Sequence, residues 1–288
     1  MGLARPAKTF PLRMLIDTHA HVASQKMDAD RDEVLSRAWE AGVQRIISPA
    51  TDLEDCAKLN LLCDQHPHLY MAAGIHPCDA HTVEDEGWIE KLRHFASHPK
   101  VVAIGEIGLD YFHAPPEGFD TESWRRHQAR VLRLQLELAV EMRLNVILHN
   151  RESWDDLVAA IEPFRGKLKA VFHCYTGTAE QARPLFEAGH LVSFTGIVTF
   201  KNASVIQQTV RDVPDGSFML ETDSPYLAPV PHRGKRCEPA FVSDTARAIA
   251  ELRGVTMEEI TRTTGQTALS FFVSPLLGPI AQASITAP

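Results

Sequence analysis

The chain has 288 residues, with 29 Lys and Arg against 37 Asp and Glu, which gives a formal net charge of −8. Hydrophobic residues make up 44% and charged residues 23%, so the composition is that of a globular protein and excludes a disordered or fibrous chain. The acidic balance also argues against a protein that coats duplex nucleic acid by charge alone. No apolar run approaches the roughly 20 residues that span a bilayer, so no membrane partner is expected.

Eight short apolar segments recur along the chain, separated by longer amphipathic stretches. Near-continuous apolar character in short segments is typical of strands that are covered on both faces. The predicted strands are residues 14–17, 45–48, 69–73, 101–105, 145–148, 170–173, 190–194 and 218–222.

Two of the intervening stretches have clear helical patterns. Residues 28–41 end at Gly42, a residue that commonly terminates helices. Residues 122–142 repeat apolar residues at a spacing of three and four, which predicts one apolar face. Those positions are Val131, Leu134, Leu138 and Met142.

Alternating strands and helices predict a parallel sheet, and eight repeats favour closure into a (β/α)8 TIM barrel. We expect one barrel domain over residues 14–273, a flexible N-terminal extension over 1–13 and a C-terminal tail over 274–288 that is rich in Pro, Ala and Ser. An open, doubly wound sheet is the alternative, but no GxGxxG motif follows the first strand. Five scattered cysteines fit a reducing, cytoplasmic setting.

Polar side chains collect at the carboxyl ends of the predicted strands, where TIM barrels carry their catalytic groups. The first strand runs into Asp17, His19 and His21. Alternate residues of a strand share a face, so all three are expected to point into the barrel mouth. Strands four, five, six and eight lead to Glu106, His149, His173 and Asp223.

Four imidazoles and two carboxylates are too many ligands for one tetrahedral zinc ion, but they suit two divalent ions that share a bridging ligand. Zn²⁺ and Mn²⁺ suit mixed nitrogen and oxygen ligands, whereas Mg²⁺ prefers more oxygen. Glu106 is the expected bridge because a carboxylate has two oxygens. Glu221 is expected to orient an imidazole or a water. Cys174, of opposite parity to His173, is interpreted as a small buried residue.

Seven motifs along residues 14–273 then resemble a known family. They are DTHAHV, GIHP, AIGEIGLDY, ILHNRES, FHCYTG, LETDSPYLAP and RGKRCEPAFV. Together they resemble the TatD family of metal-dependent deoxyribonucleases. The resemblance implies a TIM barrel with a two-metal phosphodiesterase site. One ion would bind His19, His21, Glu106 and Asp223, and the other would bind Glu106, His149 and His173.

The sequence departs from the family pattern at two positions. Cys237 stands where the family usually has Asn, in RGKRCEP, and Tyr175 stands where it usually has Phe, in FHCYTG. Neither position is an expected metal ligand. The thiol is a poor replacement for an amide, so a loop hydrogen bond near the mouth is expected to change. The tyrosine is expected to add a hydroxyl near the site.

The resemblance and the metal chemistry together predict a DNA phosphodiesterase, acting as a 3′–5′ exonuclease on single strands or frayed ends. Glu106 and Asp223 are the expected catalytic residues, with Asp223 placed to accept a proton from the attacking water. Side chains that could contact phosphate oxygens are His76, Arg151, Lys201 and Arg233. Aromatic residues that could stack on bases are Tyr111, Phe112, Trp154 and Tyr226.

Two alternatives stay open at this point. A metal-dependent amidohydrolase or deacylase, such as a D-aminoacyl-tRNA deacylase, would use the same barrel and the same HxH start. Its usual site bridges the metals with a carboxylated Lys, where this chain has Glu106. A binding barrel without activity is the second alternative, although buried carboxylates and imidazoles cost stability without a metal. A monomer is expected.

Overall fold

The computed structural model describes residues 14–83 and 87–272, so the predicted extension (1–13) and tail (274–288) lie outside the described residues. Eight parallel strands pair in sequential order in one sheet. They are β1 (Leu15–Asp17), β2 (Val43–Pro49), β3 (Leu69–Ala73), β4 (Val101–Asp110), β5 (Asn145–Arg151), β6 (Ala170–Phe172), β7 (Leu191–Phe194) and β8 (Phe218–Leu220). Each of the eight predicted strand segments overlaps one of them.

The sheet closes through the residues that follow β1 and β8. The backbone N–H of Thr18 donates to the carbonyl of Leu220 at 3.0 Å, and that of Asp223 donates to the carbonyl of His19 at 2.9 Å. The N–H of His21 donates to the carbonyl of Ser224 at 2.7 Å. The fold is therefore a nearly closed (β/α)8 TIM barrel, as the sequence predicts.

Helices cover the outside of the barrel. They are α1 (Arg31–Glu40), α2 (Leu53–Gln65), α3 (Gly87–Ala96), α4 (Thr121–Met142), α5 (Trp154–Ile161), α6 (Ala179–Glu187), α7 (Ser204–Asp212), α8 (Val242–Arg253) and α9 (Met257–Phe271). Short 3-10 helices span Gln25–Met27, Pro77–Thr82, Glu162–Phe164, Gly196–Thr199 and Pro239–Phe241. Over the described part of the chain, none of the helices combines the length and apolar character that crossing a membrane requires.

Two apolar clusters form the core. One fills the barrel interior with Ile16, Ile47, Ala72, Val102, Ile147, Val171 and Met219. Phe271 and Phe272, at the end of α9, join this cluster and close one end of the barrel. The other cluster lies between the strands and the surrounding helices. Because the interior is packed with apolar side chains, polar groups from the strand ends are confined to the opposite mouth.

Strand β4 is longer than predicted. It runs on to Asp110, past the predicted end at residue 105, and its pairing with β5 shifts register between Ile104 and Ile107. Glu106 therefore lies within a strand and not at its end, beside the register shift. This correction places two acidic residues of β4, Glu106 and Asp110, at the mouth of the barrel.

Two glutamines of helix α4 make hydrogen bonds to the backbone at the end of β4 and just after β3. The side chain of Gln128 accepts from the N–H of Asp110 at 2.9 Å and donates to its carbonyl at 3.0 Å. Gln135 does the same at Ile75, at 2.7 and 3.1 Å. The buried face of α4 therefore includes the side-chain amides of both glutamines. Of the predicted apolar positions, Val131 and Leu138 are buried, whereas Leu134 and Met142 are only partly buried.

Candidate metal centre

Glu106 lies at the centre of the barrel mouth between two pairs of histidines. Its Oε2 atom is 3.1 Å from Nε2 of His19 and 3.5 Å from Nε2 of His21. Its Oε1 atom is 2.9 Å from Nδ1 of His149 and 2.8 Å from Nε2 of His173. Each oxygen of this carboxylate therefore faces its own pair of imidazoles.

Asp223 completes the cluster on the side of the first histidine pair. Its Oδ1 atom is 3.5 Å from Nε2 of His21 and 3.8 Å from Nε2 of His19. The backbone of Asp223 is in the left-handed region, with φ of 59°, which Asp tolerates better than most residues. The structure thus brings together all six side chains that the sequence singled out as metal ligands.

The two carboxylates of the cluster are held in their charged forms. Burial on its own would raise the pKa of Glu106, but the neighbouring imidazoles of His173 and His19 hold that pKa well below its usual value. Burial likewise opposes ionisation of Asp223, and a hydrogen bond from His21 outweighs it, so its pKa is also lowered. Burial disfavours the imidazolium of His173, yet Glu106 and Glu221 raise its pKa well above the usual value.

The donor set fits two divalent cations. Nε2 of His19 lies 3.2 Å from Nε2 of His21, and Nε2 of His173 lies 3.5 Å from Nδ1 of His149. Two imidazole nitrogens that face each other so closely share at most one proton between them, whereas a cation accepts both lone pairs. Mixed imidazole and carboxylate ligands suit Zn²⁺ or Mn²⁺. A carboxylate with each oxygen on a separate histidine pair is suited to bridge two ions.

Asp110 is a residue of the centre that the sequence reasoning missed. Its buried Oδ2 atom is 3.0 Å from Nε2 of His149, so the hydrogen bond leaves Nδ1 of that ring directed at Glu106. A carboxylate behind a ligating histidine fixes the tautomer and orients the ring. The sequence did offer a signal, because Asp110 lies four residues after Glu106 and so has the same parity along the strand. The predicted strand ended at residue 105, however, and Asp110 was therefore not considered.

Glu221 supports His173, as expected from its parity. Its Oε1 atom is 3.5 Å from Nδ1 of His173 and accepts from the N–H of Cys174 at 2.7 Å. Its Oε2 atom accepts from the hydroxyl of Ser193 at 2.6 Å.

The thiol of Cys174 is 3.7 Å from the hydroxyl of Thr195, and burial raises the pKa of this thiol to about 12. Cys174 is partly buried and does not belong to the ligand cluster.

Asp17 does not share the position of His19 and His21. Strand β1 ends at Asp17, and its carboxylate accepts from the N–H of Thr222 at 3.0 Å and from the hydroxyl of Thr222 at 2.6 Å. The expectation is wrong at this residue because Ile16 faces the barrel interior, so its neighbour Asp17 faces the other side of the strand. Asp17 instead ties the end of β1 to the segment that carries Asp223.

His76, expected to contact phosphate, lies inside the cluster. Its Nε2 atom is 3.6 Å from Oε1 of Glu106, and its ring packs edge-on against His149 with centroids 4.4 Å apart. Its Nδ1 atom accepts the backbone N–H of Cys78 at 3.1 Å. Burial lowers its pKa to about 3, so the ring is neutral and its single proton is on Nε2. That tautomer makes His76 a hydrogen-bond donor at the centre and not a ligand.

The other three expected phosphate contacts lie on exposed loops or strand ends. Arg151 is the last residue of β5, and its guanidinium lies 3.8 Å from the ring centroid of Phe112. Arg233 lies 3.8 Å from the ring centroid of Phe200, the residue before Lys201. The structure therefore pairs two of these cations with aromatic rings, and it does not bring any of the three into the cluster of Glu106.

Among the expected stacking residues, two are exposed and two are engaged. Phe112 is 53% exposed and Tyr226 is 48% exposed, with the ammonium of Lys26 4.4 Å from the tyrosine ring. Tyr111 donates its hydroxyl to Asp156 at 2.7 Å. Trp154 packs against Phe172 and Tyr175 in the core.

The two departures from the family pattern are both buried. Cys237 has its thiol 3.9 Å from the carbonyl of Glu238, and its N–H donates to the carbonyl of Pro225 at 3.1 Å. The hydroxyl of Tyr175 donates to the carbonyl of Thr178 at 2.8 Å, so it closes a turn. Neither side chain belongs to the ligand cluster.

Comparisons with known proteins agree with this geometry. The family described as TatD related DNase matches residues 16–273. The chain is 40% identical over 262 residues to the metal-dependent hydrolase YabD of Bacillus subtilis (strain 168), covering 90% of this chain and 99% of that protein. It is 33% identical over 266 residues to a protein of Cronobacter sakazakii named 3′-5′ ssDNA/RNA exonuclease TatD, covering 90% and 98%.

Solved structures give the same picture. The crystal structure of YjjV, a TatD homologue from Escherichia coli K12, superposes with a TM-score of 0.82 at 29% identity, covering 92% of this chain and all (100%) of that one. A phosphotriesterase homology protein from Escherichia coli shares the fold alone, with a TM-score of 0.63 at 11% identity. The chain therefore belongs to the TatD-related DNase family of metal-dependent hydrolases.

Proposed function

We propose that this protein is a two-metal phosphodiesterase that removes nucleotides from the 3′ end of single-stranded or frayed DNA. The observation that carries the proposal is Glu106, whose two carboxylate oxygens each face a separate pair of imidazoles at 2.8–3.5 Å. A relative that is 33% identical is named a 3′-5′ ssDNA/RNA exonuclease, which supports this choice of substrate.

Two divalent ions, Zn²⁺, Mn²⁺ or Mg²⁺, would be held by the six clustered side chains. One would bind His19, His21, Asp223 and Oε2 of Glu106, and the other would bind His149, His173 and Oε1 of Glu106. When bound, such a pair of ions activates water, neutralises charge on the phosphate and stabilises the leaving oxygen. Glu106 would hold both ions, since among the described residues its carboxylate is the group that faces both histidine pairs.

The protein's own side chains then handle the proton and the phosphate. The lowered pKa of Asp223 keeps its carboxylate ionised at neutral pH, so it is able to accept a proton from the attacking water. Nε2 of His76 carries a proton and points to Oε1 of Glu106 from 3.6 Å, which lets it donate to a phosphate oxygen beside the ions. Asp110 keeps His149 in the tautomer that presents Nδ1.

Side chains outside the cluster suit an unpaired strand. Phe112 with Arg151, and Tyr226 with Lys26, each join an exposed ring to a cation. Bases of a single strand stack on exposed rings, and cations attract its phosphates. A terminus also reaches a site at the bottom of a barrel mouth at lower cost than a stacked duplex does. Arg233 and Lys201 would contact phosphates further along the strand.

The loop after β8 carries four basic residues, His232, Arg233, Lys235 and Arg236, and two of them have a structural role. Arg236 makes two hydrogen bonds to Asp30, both at 2.7 Å, and one to Glu238 at 3.2 Å. His232 stacks on Phe241 with centroids 3.8 Å apart. These contacts hold the loop to the starts of α1 and α8. Arg233 and Lys235 are left exposed, and we assign Arg233 to substrate. All five cysteines are free thiols within the described residues, in keeping with a cytoplasmic setting.

The test is a time course with oligonucleotides labelled at the 5′ end. Single strands, blunt duplexes and duplexes with 3′ overhangs are incubated with Mn²⁺, Mg²⁺ or Zn²⁺, and with EDTA. We expect a ladder that shortens from the 3′ end of the single strand and disappears with EDTA. Faster cutting inside a blunt duplex would contradict the proposal. Brisk deacylation of D-aminoacyl-tRNA without nuclease activity would favour a deacylase instead.

A matched pair of variants tests the stacking residues. Phe112→Ala should weaken single-strand binding by about 5- to 150-fold, because one base–aromatic stack contributes about 1–3 kcal/mol. Leu61, an apolar residue of α2 that is 65% exposed, provides the control variant Leu61→Ala. Equal affinity of the two variants in a fluorescence anisotropy titration would exclude Phe112 from the substrate path.

A further inference from the structure

Three side chains converge beside the metal centre, outside its six clustered ligand side chains: Cys78, Asp110 and His113. Nδ1 of His113 is 2.9 Å from Oδ2 of Asp110 and 3.5 Å from the sulfur of Cys78. One potential ligand atom from each residue lies within 4.8 Å of the other two. We propose that these residues form a third cation site, which binds a thiophilic divalent ion such as Zn²⁺.

The chemistry of the three donors selects the ion. A thiolate, an imidazole and a carboxylate are all common zinc ligands, whereas Mg²⁺ avoids sulfur. Binding breaks the S–H bond of Cys78, releases the proton to solvent and forms a sulfur–metal bond. The negative charges of Cys78 and Asp110 then balance the charge of the ion. Three protein ligands leave the fourth tetrahedral position to water or substrate, and His113 is exposed enough (52% of its side chain) to admit either.

The backbone around the three donors is fixed before any ion binds. Oδ1 of the fully buried Asp110 accepts the N–H groups of Phe112 at 3.0 Å and His113 at 2.9 Å, which ties the turn after β4 to that carboxylate. The N–H of Cys78 donates to Nδ1 of His76 at 3.1 Å. These hydrogen bonds use backbone groups and Oδ1, so the thiol is still available as a ligand. Oδ2, which faces Nε2 of His149 with one lone pair, keeps a second lone pair for a cation.

The position of Nδ1 of His113, which faces both other donors, also favours a cation site. Nδ1 of His113 carries at most one proton, which it can donate to Oδ2 of Asp110 or to the sulfur of Cys78. A cation among the three accepts a lone pair from each at once. Oδ2 of Asp110 is also 3.0 Å from Nε2 of His149, so the same oxygen would join the third site to the ring that faces Glu106.

Cobalt substitution tests the site directly, whether or not the protein is a nuclease. The full-length, metal-free chain is titrated with Co²⁺ while absorption is followed in the near ultraviolet, where thiolate ligation to cobalt gives a charge-transfer band. The centre around Glu106 has imidazole and carboxylate donors, which do not give that band. We expect the band to saturate with one thiolate-ligated ion per chain.

Matched variants identify the thiol. Cys78→Ser should abolish the band, and Cys174→Ser, which alters the thiol next to His173, should leave it. His113→Gln should keep the band but weaken cobalt binding at least about tenfold, since losing a direct ligand should cost no less than losing a partner behind a ligand. Circular dichroism and thermal unfolding confirm that each variant is folded. After zinc loading, elemental analysis should find one fewer ion per chain in Cys78→Ser than in the parent protein.

Several outcomes would overturn the proposal. They are the absence of a charge-transfer band in the parent protein, its survival in Cys78→Ser, and its loss in Cys174→Ser alone. Cobalt affinity that is unchanged in His113→Gln would do the same. A parent protein with the band but without nuclease activity would leave the third site intact and contradict only the proposed function.

Discussion

Replacing Asp110 by Asn tests how His149 is directed at Glu106. The carboxylate has two tasks, because Oδ1 accepts the N–H groups of Phe112 and His113 and Oδ2 accepts from Nε2 of His149. An amide has only one oxygen. If that oxygen holds the turn, the amide NH2 faces Nε2 of His149 and forces the ring proton onto Nδ1, the atom that must be free to bind a cation.

The size of the effect follows from the hydrogen bond that is lost. A hydrogen bond to a charged group contributes about 1.5–3 kcal/mol, and the loss of a carboxylate behind a ligating histidine lowers metal affinity by about 10- to 100-fold. We therefore expect Asp110→Asn to weaken binding of the ion proposed for His149 and His173 by about 10- to 100-fold. Binding of the ion proposed for His19 and His21 should be affected less.

The assay is competition for Zn²⁺ against a chromophoric chelator. Both the parent and Asp110→Asn are made in a Cys78→Ser background, so that the proposed third site does not contribute to the result. His113→Gln in the same background is the control, because it leaves the contact between Asp110 and His149 in place. Equal zinc affinity of Asp110→Asn and the control would refute the role assigned to this carboxylate.

Three further outcomes are expected of the centre. Glu106→Ala should lower turnover by about a hundred- to a thousandfold, the scale of losing one transition-state contact, while circular dichroism reports a folded barrel. Wild-type turnover of this variant with metal present would exclude Glu106 as the bridging ligand. Asp223→Asn should lose turnover on the same scale but keep most of its metal in elemental analysis, since an amide oxygen still coordinates but does not accept the proton. Equal losses of turnover and of metal would assign Asp223 to metal binding alone. Metal binding should weaken as the pH falls, because the pKa of His173 is raised well above its usual value and protonation then competes with the cation. Calorimetry of Cys78→Ser in buffers of different ionisation enthalpy should therefore detect proton release at neutral pH, and its absence would contradict the protonated state of this ring.

The barrel was predictable because its signal is periodic and repeated. Eight apolar segments with helical stretches between them leave few folds open, and each segment became a strand. The extent of β4 was not predictable from local sequence, since Gly105 and Gly108 resemble a strand end. In the structure a side chain at Gly108 would meet the carbonyl oxygen of His149 at 2.0 Å, so glycine there allows β4 to continue against β5.

The six clustered side chains were predictable because parallel strands bring their carboxyl ends to one mouth. Contacts that depend on loop conformation were not. Asp17 follows strand alternation in sequence but is bound to Thr222 in the structure. The proton position of His76 depends on the backbone N–H of Cys78, and the pairing of Arg236 with Asp30 joins residues far apart in the chain. No spacing rule reports such contacts.

The two glutamines of α4 have a consequence for how this barrel can change. Gln135 binds the backbone of Ile75, just before His76, and Gln128 binds that of Asp110. Seven helical residues span about 10.5 Å along the helix axis. The rise along one rigid helix therefore fixes the distance between the ends of these two chain segments. Insertions beyond His113 or in other loops at the mouth do not change that distance. Such loops are free to vary with the substrate while the spacing between the chain ends that carry His76 and Asp110 stays constant.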